Sequence, residues 1–195
     1  MLLAQGKLDT ALESYRQSLA TAERLAAFDR SNTGWSRDLS VSYNKVGDVL
    51  VAQGKLDEAL ESYRQGLAIA ERLATADRSN AQWRDDLRRV IGKIDKLAYR
   101  LVLAREFAIA LEAADLAISF APEEIWLYAN RAHALMFIGR TDEARALYVK
   151  YHGRKDVSEG KSWETVVQED FAELQKAGLT DPLMDTIEKL FRAAT

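Results

Sequence analysis

The residues able to do chemistry are few, and their spacing does not assemble a known reaction centre. The stretch GRKDVSEGKS (153–162) ends in the Gly-Lys-Ser of a phosphate-binding loop. That motif needs a further glycine where Lys155 stands and a strand leading into it, and the sequence offers neither. The two histidines, His133 and His152, have no HExxH or paired-ligand spacing around them, and no elbow serine accompanies them. Carboxylates cluster in RDDLRR (84–89) and QEDFAE (168–173), but such clusters on a helix form its solvated face. General acid–base work needs a pocket that tunes paired carboxylates, and no convergent set is visible. The chain has no cysteine, which removes disulfides, thiolate metal sites and cysteine nucleophiles. These residues predict a protein that is not an enzyme and needs no cofactor or metal.

The elements that carry these residues are helical. Two prolines and ten glycines in 195 residues leave few breakers, and Ala, Leu, Glu, Arg and Lys dominate, a helical composition. No alternating run of strand length is bounded by turn residues, so the fold class is all-α. With 27 basic and 30 acidic residues, the chain lacks the basic excess of an electrostatic nucleic-acid binder. No apolar run reaches the length of a membrane span. The start MLLAQGKLD is too short an apolar run for a secretory signal, so a cytoplasmic location is expected, with no membrane partner.

The strongest pattern is internal repetition. Residues 1–32 match residues 49–80 at an offset of 48, with 25 of 32 positions identical. DRSN recurs at Asp29 and Asp77, followed each time by a tryptophan, Trp35 or Trp83. Fainter copies, REFAIALEAA from Arg105 and GRTDEARALY from Gly139, place Ala110 and Ala144 where Ala11 and Ala59 stood. These alanines are spaced by 48, 51 and 34 residues. Repeat two carries Tyr43, Val46, Gly47 and Leu50, then Ala59 and Tyr63. Repeat three carries Ile94, Leu97, Ala98 and Leu101, then Ala110, Ala114 and Pro122. Repeat four carries Tyr128, Ala132 and Leu135, then Gly139, Ala144 and Tyr148.

The period of 34 and this residue pattern resemble the tetratricopeptide repeat, and the resemblance covers about residues 1–152. The longer spacings are similar to the long-helix repeats of kinesin light chains and of bacterial arrays. Pro122 ends a helix, because proline cannot continue the ladder. Glu71 stands at the equivalent place in repeat two, and its helix is predicted to run on to DRSN. The resemblance implies a right-handed α-solenoid of antiparallel helix pairs, a superhelix in which small residues such as Gly47, Ala98 and Ala132 let backbones approach. The expected array spans 1–152, with a second helix of a partial repeat in 1–30, long repeats at 33–76 and 81–121, and a standard repeat at 124–152. A polar linker follows at 153–161.

Residues 162–195 are predicted to form a two-helix cap. Ser162 is a plausible N-cap for the first helix, whose stripe is Trp163, Val166, Val167, Phe171 and Leu174. Asp181 caps the second, with Pro182 at the first helical position. A solenoid's last repeat exposes an apolar face that such a cap covers.

In arrays of this kind the first helices of successive pairs line a concave groove that takes a peptide or helix of a partner. The resemblance places Asn44, Lys45 and Asp48 in that groove, then Arg88, Asp95, Lys96 and Tyr99, then Trp126, Asn130, His133 and Phe137. Each set lies on one helical face. Asp48 and Asp95 would repel a terminal carboxylate, so the implied ligand has an apolar or aromatic anchor and at least one basic residue. Trp126 and Phe137 serve either as that anchor's partners or as packing for the cap. The expected function is a protein-interaction scaffold. Two alternatives stand beside it. One is self-assembly through an open N-terminal edge bearing Leu8, Leu12, Tyr15 and Leu19. The other is that this chain is the C-terminal part of a longer signalling protein whose activity lies elsewhere.

Overall fold

A computed structural model describes residues 7–193, so the first six residues of the opening repeat copy lie outside the described residues. Among the described residues there are nine helices and a lone antiparallel bridge, Ser158–Lys161. The helices are α1 (Leu8–Phe28), α2 (Thr33–Ala52), α3 (Leu56–Ala76), α4 (Ala81–Leu103), α5 (Phe107–Phe120), α6 (Leu127–Phe137), α7 (Thr141–Lys150), α8 (Trp163–Lys176) and α9 (Pro182–Ala193). The chain divides into two compact units, 1–94 and 95–195, with the division inside α4.

The repeat spacings follow from helix length. Helices α1 to α4 run 20 to 23 residues, whereas α5, α6 and α7 have 14, 11 and 10. Helix α3 continues past Glu71 to Ala76, while α5 stops at Phe120, before Pro122. The DRSN stretch is the connector between long helices. The Asp29 carboxylate accepts the Ser31 hydroxyl and amide at 2.6 and 2.9 Å, and Asn32 then caps α2 by accepting from the Trp35 amide. Asp77, Ser79, Asn80 and Trp83 repeat these bonds ahead of α4. The serine bonds hold both carboxyls below their usual range.

The turns inside each pair share another device. Gly54, Arg105 and Gly139 all adopt positive φ, and the next amide bonds back to Leu50, Leu101 or Leu135 at 2.9 Å. This is the left-handed cap that satisfies a helix's last carbonyls, and glycine fits it without strain. Arg105 does not have that freedom. Its guanidinium donates to the Gly178 carbonyl at 2.9 Å, in the turn between α8 and α9.

In the first unit α2 and α3 pack as a pair at close range. A Cβ at Gly47 would lie 2.5 Å from the Tyr63 ring, and one at Gly66 would meet Asn44 Oδ1 at 3.0 Å. Ser40 Oγ donates to the Gly66 carbonyl and Ser62 Oγ to the Tyr43 carbonyl, each at 2.8 Å. Helix α1 repeats the α3 sequence and also packs against α2, but its side chains find other partners. Ser14, the twin of Ser62, turns its hydroxyl back onto its own Thr10 carbonyl. Leu67 and Leu73 are buried, but their twins Leu19 and Leu25 are half-buried and exposed.

In the second unit α5 presents a row of alanines, Ala110, Ala113, Ala114 and Ala117, all fully buried. Arg131 on α6 pairs with Asp115 on α5 at 2.6 Å. Helices α8 and α9 are the last two of the second unit. Ser162 caps α8 through the Thr165 amide, and Asp181 accepts from the Leu183 amide at the start of α9. Trp163, Phe171 and Leu174 of α8 are fully buried, with Trp163 beside Tyr151 and Phe171 edge-on to Tyr148.

Candidate partner-binding site

A pocket of about 330 Å³ lies in the second unit, where the end of α4 meets α6 and α8. Helix α4 contributes Asp95, Lys96, Tyr99 and Arg100, steps of one turn along a single face. Trp126, Ala129 and Asn130 come from the start of α6, Val166 and Asp170 from α8, and Ser158 from the loop between α7 and α8. The walls are therefore aromatic and apolar, and the charges divide by depth. Lys96 and Arg100 are exposed, whereas Asp95 is half-buried.

Both carboxylates are held by one oxygen. Asn130 Nδ2 donates to Asp95 Oδ1 at 2.8 Å and to the Asp95 carbonyl at 3.1 Å, tying α6 to α4. Burial pushes the Asp95 carboxyl up to about 7, against the Asn130 bond; the Asp170 charge adds to the rise and the Lys96 charge opposes it. Asp170 Oδ2 lies 3.1 Å from His133 Nε2, and His133 Nδ1 lies 2.8 Å from the Tyr148 hydroxyl. With the imidazole proton on Nε2, Tyr148 donates to Nδ1 and His133 donates to Asp170, so the hydroxyl and both ring nitrogens each have a partner. Burial, then the charges of Asp170 and Asp181, push the Tyr148 hydroxyl far up. Tyr99 donates to Glu173 at 2.9 Å, and Trp126 Nε1 donates to Glu124 at 2.9 Å. Among the described residues, no group of three His, Asp or Glu side chains could hold a metal ion. None of their helices is long and apolar enough to cross a membrane.

The family model for the tetratricopeptide repeat matches residues 1–72, the stretch that holds α1, α2 and most of α3. Residues 1–72 are therefore tetratricopeptide repeat sequence. No curated protein and no solved structure matches it. Tetratricopeptide repeats generally mediate protein–protein interactions, and the paired helices here are of that kind.

Within the tetratricopeptide pattern, the expected groove residues have separate fates. Asp95, Lys96, Tyr99, Trp126 and Asn130 come together in the pocket. His133 does not: it is fully buried, consumed by Tyr148 and Asp170, and presents no surface to a partner. Phe137 stacks on Phe107 of α5, with ring centroids 5.0 Å apart, and packs the pair rather than the pocket. Asn44, Lys45, Asp48 and Arg88 belong to the first unit. Lys45 and Arg88 are exposed there, but Asn44 turns its amide oxygen against Gly66. Asp48 accepts from the Tyr63 hydroxyl at 2.8 Å and pairs with Lys93, so its charge is already balanced. Of the expected N-terminal edge, Leu12 is buried within its own unit, while Leu8, Tyr15 and Leu19 are half-buried. Phe28 and Leu25, 86% and 40% exposed, are the large apolar side chains that α1 leaves exposed.

Sequence reasoning missed Asp170 and Val166 as pocket residues. They lie on α8, to which the repeat register expected from sequence assigns no place. A usable signal existed for His133: it precedes Tyr148 by 15 residues, as Asp48 precedes Tyr63.

Proposed function

We propose that the protein is an interaction scaffold and that the pocket of the second unit docks a short segment of a partner protein. The observation that carries this reading is Trp126, half-buried beside Ala129 and Val166 with charged groups around it. Large aromatics in a recess ringed by polar groups are the usual energetic centres of interfaces. The test is selection of random heptapeptides on the immobilised protein, followed by measurement on Trp126→Ala. Enriched peptides are expected to bind the wild type and to lose at least about tenfold on the variant, a share typical of a hot spot. Undiminished binding with a lowered melting temperature would assign Trp126 to packing of the cap instead.

A second reading concerns α1. Leu25 on α1 is exposed where its twin Leu73 on α3 is buried, and Phe28 stands exposed one turn further on; exposed apolar patches associate. A second copy of the chain is the proposed occupant. Sedimentation velocity is expected to show a dimer that Phe28→Ser weakens; a strict monomer at the highest soluble concentration would remove this reading.

A further inference from the structure

The pocket of the second unit contains more charge than its packing uses. Asp95 Oδ1 is held by Asn130 and Asp170 Oδ2 by His133. Their other oxygens accept no hydrogen bond within the described residues. Both bonds come from N–H donors that orient the carboxylates, and neither carboxylate pairs with a lysine or arginine among the described residues. Ion pairs elsewhere are made directly: Asp48 with Lys93, Asp86 with Arg37 and Arg89, Asp115 with Arg131. Asp95 and Asp170 have no such cation. The two cations that line the same pocket, Lys96 and Arg100, extend into solvent and form no ion pair among the described residues. Depth thus separates the signs, acid within and base at the rim.

Two carboxylates in one recess repel each other, an arrangement that costs free energy unless a cation joins them. The walls suit a particular kind of cation. Trp126 and Tyr99 line the recess, and aromatic rings attract ammonium and, more often, guanidinium groups over their faces. A planar guanidinium also has enough donors to reach two carboxylates at once. We infer that the pocket takes one basic side chain, arginine or lysine, of the docked segment, with Asp95 and Asp170 as its acceptors and Trp126 and Tyr99 as its aromatic walls. An acidic residue next to that side chain in the segment meets Lys96 and Arg100 at the rim. This rests on the reading of the pocket as a segment-binding site.

The inference carries a pH dependence. The groups that face Asp95 are Lys96, Tyr99 and Arg100 on α4, Asn130 and His133 on α6, and Asp170 and Glu173 on α8. Burial displaces the Asp95 carboxyl toward its neutral form. As pH rises it gains its charge, and the affinity for a basic group rises with it.

The probe is benzamidine, an aromatic cation, compared with neutral benzamide and anionic benzoate. The readout is the indole N–H resonance of Trp126, assigned with Trp126→Phe. Benzamidine is expected to shift that resonance saturably, and benzamide at least about fivefold more weakly, the factor that one partly exposed ion pair supplies. In Asp95→Asn, which keeps an acceptor for Asn130, the benzamidine preference shrinks and its rise between about pH 6 and pH 8 flattens. Equal shifts from benzamidine and benzamide would overturn the inference, as would a stronger shift from benzoate. So would a saturable shift from calcium or magnesium chloride that benzamidine does not compete. The two proposals fail separately. Selected peptides that need Trp126 but carry no arginine or lysine sink the basic side chain and leave segment docking intact. Peptides that ignore Trp126 sink the docking site itself.

Discussion

Repeat two and repeat four place a tyrosine and its partner in the same register and resolve it differently. In repeat two the Tyr63 hydroxyl donates to Asp48, and Asp48 pairs with Lys93. In repeat four the Tyr148 hydroxyl meets His133, and His133 passes on to Asp170. The first chain ends on a cation and is electrically closed. The second ends on a carboxylate that lines a pocket. Charge balanced within the fold does structural work, and the charge left over at the recess is what the proposed partner segment would balance.

The contrast also has an energetic side. His133 and Tyr148 are fully buried, whereas Asp48 keeps 31% of its side chain exposed. Water can replace a lost partner at Asp48 but not at His133. The largest effect is therefore expected for His133→Leu, which leaves the buried Tyr148 hydroxyl and the Asp170 carboxylate each without a partner. The cost is about 3 kcal/mol or more in urea unfolding. Asp48→Asn should cost about 1 kcal/mol or less, since a surface ion pair contributes little. Equal costs would break the comparison.

A finer cut removes only the hydroxyls. Tyr148→Phe leaves a buried imidazole nitrogen unsatisfied and is expected to cost about 1–3 kcal/mol. Tyr63→Phe leaves Asp48 with Lys93 and should cost no more than about 1 kcal/mol. Urea midpoints of the two variants against wild type check the order, and a larger loss at Tyr63 would reverse the assignment of the closed and open chains.

The smallest effect is in pH dependence. A carboxyl whose pKa is raised by folding adds stability below the ordinary carboxylate range and loses it as pH rises through the folded value. For Asp95 that value is about 7. Wild-type stability should therefore decline between about pH 4 and pH 7 relative to Asp95→Asn, which has no charge to gain. Parallel midpoints across this range would show that the burial of Asp95 is not coupled to its charge.

The fold was legible in the sequence because repetition converts local signals into tertiary ones. Pro122 against Glu71 foretold that α5 stops and α3 runs on, and DRSN marked the same connector twice. The alanines at 59, 110 and 144 set the pairing register, and Gly47 against Tyr63 supplied the close approach. The site was legible only in part. A helical face on α4 and the start of α6 grouped Asp95, Lys96, Tyr99, Trp126 and Asn130, which line one pocket. It also included His133, because the face is wide enough to straddle the seam with α7, where Tyr148 waits. The pocket's third wall comes from α8, outside the repeat, where periodicity carries no information about neighbours.

Helices α1 and α3 show the same limit from the other direction. Their sequences are nearly identical, yet Leu67 is buried and Leu19 is not, because burial depends on what lies against a helix. Position 18 records the difference: Ser18 stands where α3 has Gly66, whose Cβ would press on Asn44 and on the Ser40 carbonyl.

The most direct measurement uses the four tryptophans as reporters. A peptide selected on the protein is added to the labelled chain, and the indole N–H shifts of Trp35, Trp83, Trp126 and Trp163 are followed. Shifts are expected at Trp126, with Trp35 unmoved. Shifts confined to Trp35, beside α1, would place the docking surface on the first unit and contradict the account.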